Sequence, residues 1–302
     1  MQIVKSNERS FTHNLQDIIP KHSIGTSSEA IRHHYDVGND FFRQWLDGSL
    51  TYSCPLWLEG EADDSLEDAQ LRKLDTHIEN ARASGKGRVL DIGSGWGSLL
   101  KRLVGPHSVL HAVGLTLSEE QAAFVTRQAL PGVEVLLASW QEHKPRLPYD
   151  AIVSIEAIEH FARTGQSRDE RIQGYRQFFT HCQQMLVPGG RLSLQSTCYQ
   201  NLEKLPEFIT DRIWPESELP RLIDILEAAD RLFEVISVSN DRDQYARACA
   251  LWAKRLKNSR IDAIRTSSRE TVDDYYRYLK ASSLAFQQSA LTLHGIVLQS
   301  TL

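Results

Sequence analysis

The feature that most constrains this chain is the alternation of short apolar runs with helical segments from residue 88 onward. Helical segments lie between most of these runs. Parallel strands need crossover connections, which are usually helices, so the alternation predicts an α/β fold with a parallel sheet covered on both faces. The five predicted strands are RVLDI (88–92), VLHAVGL (109–115), VEVLLA (133–138), DAIVSI (150–155) and RLSLQST (191–197).

The segments that precede these strands predict helices. The run SSEAIRHHYDVGNDFFRQWL has a helical pattern that is interrupted at Gly38. The run DSLEDAQLRKLDTHIENARASG predicts a helix that begins with a capping box at Ser65 and Asp68 and ends at Gly85. Its buried face is expected to contain Leu66, Leu71, Leu74 and Ile78.

The rest of the chain predicts a helical cap on one α/β core. Residues 201–285 are mostly helical in pattern, with one strand, LFEVISV (232–238), and TLHGIVLQSTL (292–302) predicts a final strand. Residues 1–25 are polar and patternless, which predicts a loose arm. We therefore expect one domain over residues 26–302. Its parts are an N-terminal helical cap (26–85), a cofactor-binding core (86–200), and a cap insert with the last strands (201–302).

Composition and charge exclude several classes of protein. The 302 residues are 41% hydrophobic and 24% charged, with a net charge of -5. This charge gives no global basic field, so no nucleic-acid partner is expected. There is no run of about 18 uncharged apolar residues, so we expect no membrane span and at most peripheral membrane contact. The N-terminus lacks a secretory apolar core, which favours a cytoplasmic protein.

The cysteines give no sign of a metal or redox centre. No two of them form a C-x-x-C pair, and they lie far apart in the sequence. We therefore expect reduced thiols in a cytoplasmic protein and no metal site. The four are Cys54, Cys182, Cys198 and Cys249.

A glycine-rich loop follows the first strand, in the sequence VLDIGSGWG (89–97). Alternate glycines allow a tight turn and a close approach of the backbone to a ligand, and the helix that follows offers free N–H donors. A dinucleotide site would show G-x-G-x-x-G, whereas this loop reads D-x-G-x-G-x-G. The pattern resembles motif I of class I S-adenosylmethionine (SAM) methyltransferases, which favours SAM over NAD.

The end of the second strand, VGLTLSEEQ, leaves two interpretations open. Nucleotide sites typically place an acid here to bind a ribose, but this strand ends in Leu115, Thr116 and Leu117. Ser118 and Gln121 have the spacing of a capping box for the next helix. Capping and ligand binding can coexist at these residues.

Several stretches together resemble the cyclopropane fatty acid synthases and mycolic acid cyclopropane synthases. The likeness spans residues 30–302, and both the order and the spacing of the stretches fit. It implies a Rossmann-like class I methyltransferase sheet of seven strands, with the last strand antiparallel and a helical cap over an apolar substrate pocket. The stretches are HYDVGNDFFRQWLDGSLTYSCPLW, RVLDIGSGWGSL, VGLTLSEEQ, IEAIEHF, NDRDQYARACALW and YYRYLKASSLAF.

The resemblance also implies which residues contact SAM. Two belong to the YSCPLW stretch, five to the glycine loop and three to the VGLTLSEEQ stretch. Trp140, in LASWQEH, is implied to lie beside the adenine. The other ten are Tyr52, Ser53, Asp91, Gly93, Ser94, Gly95, Gly97, Thr116, Leu117 and Gln121.

Enzymes of this family add the SAM methyl carbon to an alkene, and a bound bicarbonate takes a proton from the resulting carbocation. The bicarbonate is held by a glutamate of an E-H motif, a tyrosine, a backbone group near a cysteine, and a histidine. The resemblance assigns these places to Glu159, Tyr245, Cys54 and, in place of the histidine, Gln195. A carboxylate and a phenol can orient a small base in a dry pocket, which also protects a carbocation from water.

The stretch IEAIEHFAR (155–163) has a purely structural interpretation as well. Glu156 and Glu159 have the spacing of first-turn acids favoured by a helix dipole. The resemblance favours a function for Glu159 and leaves Glu156 open, at a position that is acidic in related plant alkaloid N-methyltransferases. His160 is either part of the site or a local hydrogen-bonding group, and Cys54 is alternatively a small buried hydrophobe.

Two departures from the family pattern bear on the reaction. Gln195 replaces a titratable histidine and cannot gain or lose a proton near neutral pH, and Ser282 replaces a cysteine. They put strict cyclopropanation in question more than methyl transfer itself.

The sequence therefore supports two catalytic functions and one alternative without catalysis. The first is SAM-dependent transfer of a methyl or methylene unit to a double bond of an unsaturated lipid acyl chain. The second is C- or N-methylation of a small metabolite, such as an isoprenoid or an amine. The third is a SAM- or lipid-binding relic, which the presence of both Glu159 and Tyr245 disfavours. A nucleic-acid methyltransferase is disfavoured because IEAIEHF stands where an N-P-P-Y-like loop would be.

Overall fold

The computed structural model describes residues 37–58, 60 and 64–302. The predicted arm at 1–25 and most of the helical pattern before Gly38 lie outside these residues. Seven strands form one sheet in the order β3-β2-β1-β4-β5-β7-β6. They are β1 Arg88–Ile92, β2 His111–Thr116, β3 Val133–Leu137, β4 Tyr149–Ile155, β5 Leu186–Tyr199, β6 Phe233–Asn240 and β7 Leu291–Ser300.

The first five strands pair in parallel, and β7 lies antiparallel between β5 and β6. This arrangement confirms the predicted seven-stranded sheet with an antiparallel last strand. The predicted bounds lie within two residues of the observed ones except for β5, which begins at Leu186 rather than Arg191. Leu186 pairs with Tyr149 before a register shift, after which Arg191 pairs with Ala151. The Pro-Gly-Gly run between the two halves of the strand interrupts the apolar pattern that sequence reading relies on.

Helices surround the sheet and extend beyond one end of it. A 3₁₀ turn, Ile158–His160, follows β4 directly. No helix in the described ranges has the length and apolar content required to span a bilayer. The helices are α1 Asn39–Phe42, α2 Leu66–Asn80, α3 Ser98–Val104, α4 Glu119–Arg127, α5 Arg168–Met185, α6 Glu207–Arg212, α7 Leu222–Ala229, α8 Arg242–Asn258, α9 Arg260–Thr266 and α10 Arg269–Gln287.

Alternate residues of the strands build two separate cores, because successive side chains point to opposite faces of a sheet. On one face Leu90 and Ile92 pack with α5 and α7. On the other Val89 packs with α2, α3 and Val125 of α4. A third cluster joins α1, α8 and α10 to the start of β7 at Leu291. This helical layer covers the end of the sheet where the functional residues lie.

Helix α2 begins at the predicted cap, with only the Ser65 half of the predicted capping box formed, and it ends earlier than predicted. The Ser65 hydroxyl accepts the Asp68 backbone N–H at 3.0 Å, which caps the helix. The prediction that Gly85 ends it is wrong, because the helix stops at Asn80. Arg82 has a φ of 53°, so the chain already leaves the helix in the left-handed region at this residue.

The buried face of α2 is more polar than predicted. Leu71, expected inside, is 40% exposed, whereas Gln70, Lys73 and His77 are buried. His77 Nδ1 bonds the Ser193 hydroxyl of β5 at 2.8 Å, so a polar group pairs with the sheet at this face. The other three predicted positions are buried: Leu66, Leu74 and Ile78.

Candidate active site

Two cavities meet beyond the C-terminal ends of the parallel strands. The first, here the strand-end cavity, has a volume of about 200 Å³. The second, here the helical cavity, has a volume of about 300 Å³ and is lined mainly by α8, α10 and the segment 202–219. Ligands of α/β sheets bind at this edge, so the fold places both cavities where a site is expected. The strand-end cavity is lined mainly by residues 50–53, 91–96, 115–117, 138–141 and 155–157.

Ten of the eleven predicted cofactor residues line the strand-end cavity. The exception is Gly97, which begins α3 with a φ of 79°. A Cβ on Gly97 would lie 2.8 Å from Val125 Cγ2, so close packing of α3 against α4 explains this glycine. The ten are Tyr52, Ser53, Asp91, Gly93, Ser94, Gly95, Thr116, Leu117, Gln121 and Trp140.

Two buried polar side chains of α2 hold the loop at 51–53 in place. Gln70 Nε2 donates to the carbonyl oxygens of Thr51 at 3.1 Å and Ser53 at 2.9 Å. Lys73 Nζ donates to the Ser53 hydroxyl at 2.7 Å. Burial lowers the pKa of Lys73 to about 8, against the opposing effect of the Glu156 carboxylate. These contacts fix the Tyr52 and Ser53 wall of the cavity.

The end of β2 combines capping with the cavity wall. Ser118 Oγ accepts the Gln121 backbone N–H at 3.3 Å and so caps α4. The Gln121 side chain does not close the capping box, because its Oε1 accepts the Thr116 hydroxyl at 2.7 Å instead. That bond orients the Gln121 amide within the strand-end cavity. This stretch therefore caps α4 and also lines the strand-end cavity.

The remaining wall of the strand-end cavity joins an aromatic surface to a buried acid. Trp140 packs against Phe161 and Phe178, with ring centroids 5.4 Å away in each case. Asp91 is 3% exposed at the end of β1. Burial raises the pKa of Asp91 to about 7, although the Lys73 charge lowers it. The wall thus offers an apolar plane and hydrogen-bonding groups.

Glu156 lies at the junction of the two cavities and is held by three segments of the chain. Its backbone N–H donates to the carbonyl oxygen of Gln195 at 2.9 Å. Its Oε1 accepts the Cys54 backbone N–H at 2.8 Å, and its Oε2 accepts the Tyr245 hydroxyl. Burial raises the pKa of Glu156 to about 7, although the donors Tyr245 and Cys54 and the Lys73 charge lower it. The groups that the resemblance places around Glu159 therefore meet at Glu156.

Glu159 lines the helical cavity and is 6% exposed. Its Oε1 accepts the Thr197 backbone N–H at 2.6 Å. Within the described residues, its Oε2 and the Gln195 Oε1 are buried without a hydrogen-bond partner. Burial, together with the Glu156 charge, raises the pKa of Glu159 to about 8. Glu159 is therefore mostly protonated near neutral pH.

His160 lines both cavities and is held in one orientation. Its Nδ1 bonds the Ser217 hydroxyl at 3.1 Å, and its ring lies 5.1 Å from the Trp214 ring. Burial lowers the pKa of His160 to about 4, so the imidazole is neutral at physiological pH. The side chain therefore makes a hydrogen bond, but to a residue 57 positions away rather than a local one, and the ring also lines both cavities.

Cys54 and Gln195 contribute through their backbone. Neither belongs to the described lining of either cavity. The Cys54 thiol donates to the Pro55 carbonyl oxygen at 3.3 Å, and burial raises its pKa well above the ordinary value. A thiol in this state is a small buried hydrophobe, as one sequence interpretation proposed, while the Cys54 N–H faces Glu156.

The helical cavity is mostly apolar. Its ionisable side chains include Glu156, at the junction with the strand-end cavity, as well as Glu159 and Tyr245. Ser282, at the place where the resemblance implies a cysteine, lies in its wall on α10. Apolar side chains in the wall include Leu202, Leu205, Ile209, Leu219, Phe286 and Leu291.

Sequence reasoning missed Gln70 and Lys73 and gave Glu156 no role. The first two were hidden because their helix was read by its leucine spacing alone, although a polar residue on a buried stripe is itself a signal. For Glu156 the missing fact was which of two nearby carboxylates points toward Tyr245. That depends on the Glu156 φ of 51°, which the spacing of residues does not encode.

Comparisons with known proteins extend over most of the chain. Residues 22–296 match the family model described as mycolic acid cyclopropane synthetase. Cyclopropane mycolic acid synthase 3 of Mycobacterium tuberculosis is 32% identical over 279 residues, which are 85% of this chain and 92% of that protein. The structure of the cyclopropane synthase MmaA2 from the same species aligns with a TM-score of 0.82 and 29% identity, covering 92% of this chain and 100% of that one.

A second solved structure is that of mycolic acid cyclopropane synthase CmaA1 complexed with SAH and CTAB. It aligns with a TM-score of 0.81 and 29% identity, over 91% of this chain and 99% of that one. The family model and the relatives both span nearly the whole chain, including both cavities. The chain therefore belongs to the mycolic acid cyclopropane synthetase family.

Proposed function

We propose that this SAM-dependent methyltransferase transfers the methyl carbon of SAM to a carbon–carbon double bond of an unsaturated lipid acyl chain. The observation that carries the proposal is the apolar helical cavity, which meets the strand-end cavity at Tyr52, Glu156 and His160. A double bond at this junction would lie beside a methyl donor held in the strand-end cavity. The similar mycobacterial proteins, which are named for mycolic acid synthesis, support a lipid acceptor.

The strand-end cavity fits SAM by the chemistry of its wall. The Trp140 indole offers a plane for the adenine, and Asp91, Ser94 and Gln121 offer buried polar groups for the ribose and amino acid parts. When bound, SAM supplies an electrophilic methyl group. We propose cofactor roles for the ten residues that line this cavity and a structural role for Gly97.

The helical cavity suits a reaction that forms a cation. Its apolar wall excludes water, which would otherwise trap a carbocation. The rings of Tyr52, Trp214 and Tyr245 line it and can stabilise positive charge through their faces. We propose that Glu159 acts as a protonated neighbour and that the neutral His160 orients the acceptor.

The groups around the junction do not fit a bound bicarbonate. The two donors that the resemblance reserves for that ion, the Cys54 N–H and the Tyr245 hydroxyl, both donate to Glu156. Of the two unpaired oxygens nearby in the described residues, Gln195 Oε1 is an acceptor, and Glu159 Oε2 can donate only while its carboxyl group is protonated. An anion needs donors, so we assign no step to bicarbonate.

The experiment uses the purified full chain with methyl-labelled SAM. Unsaturated phospholipids and, separately, a metabolite extract containing isoprenoid diphosphates and amines are offered, and mass spectrometry locates the label. We expect label in the acyl chains, and loss of the alkene signal would identify a ring product. The absence of label from every unsaturated lipid would overturn the proposal.

One observation favours a second function, methylation of a small metabolite, in particular an amine. The Glu156 carboxylate at the junction could hold an ammonium group of the acceptor. In that reaction no carbocation arises, and the carboxylate positions or deprotonates the amine. Label found only on nitrogen in the metabolite extract would select this function.

We further propose residues 26–302 as one methyltransferase domain. Its helical cap comes from both ends of the chain, since α1 packs in the same cluster as α8 and α10. Such a cap cannot be separated from the core without exposing that cluster to water.

A further inference from the structure

We infer that the Glu156 carboxylate is the built-in proton acceptor of this enzyme and occupies the place of a diffusible anionic base. The inference rests on the proposed function, because the lipid carbocation is what gives up the proton. Because the site does not fit bicarbonate, the base in this protein is a side chain rather than a bound ion.

The first support is the way in which Glu156 is fixed. Its two carboxylate oxygens accept from Cys54, in the loop before α2, and from Tyr245, on α8. Its backbone N–H is bound to Gln195 of β5. Two distant segments therefore hold the carboxylate and a third holds the backbone of Glu156, which is the preorganisation that a catalytic group requires. A carboxylate oxygen accepts more than one hydrogen bond, so each keeps a lone pair for a proton.

The second support is location. Among the described residues, only Tyr52, Glu156 and His160 line both cavities. His160 is a weak proton acceptor, because burial lowers its pKa to about 4. A tyrosine hydroxyl is a poor acceptor near neutral pH, because it is already protonated. Glu156 is therefore the base available where donor and acceptor meet.

The third support is the contrast with Glu159. That carboxyl group lines only the helical cavity, and its Oε1 accepts the Thr197 N–H at 2.6 Å. The negative charge of Glu156 helps to keep the pKa of Glu159 high. Pairs of acids whose environments differ in this way divide into a base and a protonated partner. The better-stabilised anion here is Glu156.

The backbone at Glu156 also indicates selection for position. Its φ of 51° lies in the left-handed region, which costs a non-glycine residue free energy, and such strain concentrates at functional sites. Glycine adopts this conformation without that cost. Glu156→Gly is therefore expected to fold, which makes the inference testable.

The proton balance is complete without another reagent. The π electrons of the alkene form the bond to the methyl carbon, and the bond from that carbon to sulfur breaks with its electron pair left on sulfur. The neighbouring lipid carbon becomes a cation. Glu156 takes a proton from the added carbon, and the C–H electron pair closes a ring, or it takes one from the chain to give an alkene. The proton then passes to solvent.

The test compares the wild type with Glu156→Gln, Glu156→Gly and an exposed control, Glu142→Gln. Turnover on an unsaturated phospholipid is measured in buffer depleted of carbon dioxide and again with added bicarbonate or acetate. SAM affinity is measured by calorimetry. In parallel, binding of ¹³C-bicarbonate to each protein loaded with S-adenosylhomocysteine is followed by NMR, which needs no lipid turnover.

We expect wild-type turnover to be independent of bicarbonate and Glu156→Gln to lose roughly 100-fold with SAM affinity within twofold. Glu156→Gly should be equally slow but recover at least tenfold with bicarbonate or acetate, and should bind bicarbonate where the wild type does not. Glu142→Gln should match the wild type. Full activity of Glu156→Gln, or a wild type that requires bicarbonate, would overturn the inference.

The binding measurement separates this inference from the proposed function. If neither the wild type nor any variant transfers the methyl group to a lipid, the proposed function is wrong. The bicarbonate-binding measurement then decides the inference about Glu156 by itself. Bicarbonate bound by Glu156→Gly but not by the wild type would still place Glu156 where an anion would sit. Equal binding to both would show that Glu156 does not occupy the anion's place.

Discussion

The two cavities that meet at Glu156 are built in different ways. The strand-end cavity is formed mainly by short segments that follow strands, and it holds several polar side chains paired with each other, such as Thr116 with Gln121 and Lys73 with Ser53. The helical cavity is formed by helices and loops far apart in the sequence, with few polar groups. The difference indicates that one cavity recognises its ligand by fixed hydrogen bonds and the other by shape and apolarity.

The largest expected effect separates chemistry from cofactor binding. Tyr245→Phe removes the hydroxyl that donates to Glu156, so the carboxylate loses orientation and one stabilising donor. We expect kcat to fall about 100-fold, or about 2.7 kcal/mol, with SAM affinity unchanged. Steady-state kinetics and calorimetry measure the two quantities.

A matched control for that variant is Tyr175→Phe, in the buried core on α5 outside both cavities. It should keep kcat within twofold. If Tyr245→Phe weakened SAM binding as much as it slowed turnover, the two cavities would not be functionally separate.

The next effect concerns the buried acid of the helical cavity. The pKa of Glu159 is raised to about 8 by burial, so its contribution to stability is present below about pH 4.5 and is lost as pH rises through about 8. Glu159→Gln cannot ionise. Between pH 5 and pH 9 the wild type should lose on the order of 2 kcal/mol of unfolding free energy that Glu159→Gln keeps. We therefore expect the melting temperature of the variant, relative to that of the wild type, to be roughly 5 °C higher at pH 9 than at pH 5.

Thermal unfolding followed by circular dichroism at the two pH values checks this difference. The exposed control Glu142→Gln should show no such change. A gap that narrows toward pH 9 would mean that Glu159 is ionised at little cost, and that the helical cavity is more polar than its wall indicates.

The same contrast explains how much the sequence could predict. Ten of the eleven residues predicted to contact the cofactor line the strand-end cavity, because a loop that follows a strand places its residues at the edge of the sheet. Gly97 does not line the cavity, and its lack of a side chain is explained by the contact with Val125. The strands were predicted for the same reason: their apolar runs are local.

The helical cavity could be predicted only as a cap. The packing of α8 and α10 decides which of their residues face inward. Helix α2 shows that leucine spacing alone does not predict this, because its buried face contains Gln70 and Lys73. The choice between Glu156 and Glu159 depends on one left-handed residue and a tyrosine from a distant helix. Neither feature has a pattern along the chain.

A smaller effect is expected on the cofactor side. Gln70→Leu removes the donor to the Thr51 and Ser53 carbonyl oxygens, which lie in the wall of the strand-end cavity. Buried acceptors without donors cost about 1–3 kcal/mol, so the loop should lose its binding-competent position part of the time. We expect SAM affinity to weaken about tenfold, with kcat at saturating SAM nearly unchanged.

Calorimetric titration with SAM measures the change, and the exposed Gln177→Leu on α5 serves as the control. Loss of kcat with normal SAM affinity would mean that Gln70 does not support cofactor binding. It would also show that the loop at 51–53 acts through Cys54 and Glu156 rather than through the cofactor.

The smallest effect tests whether the helical cavity selects by shape. Ser282 is 6% exposed in the wall of this cavity, whose volume is about 300 Å³. The larger leucine side chain of Ser282→Leu would therefore fill part of the cavity and make it smaller. We expect preference to shift about fivefold toward shorter acyl chains, a change of about 1 kcal/mol, because neighbouring side chains can partly yield. Competition between phospholipids of two chain lengths, analysed by mass spectrometry, measures the ratio, and Ser282→Ala should keep the wild-type preference. An unchanged ratio in Ser282→Leu would mean that the acyl chain does not pass this wall, and that the apolar lining serves only to exclude water from the junction.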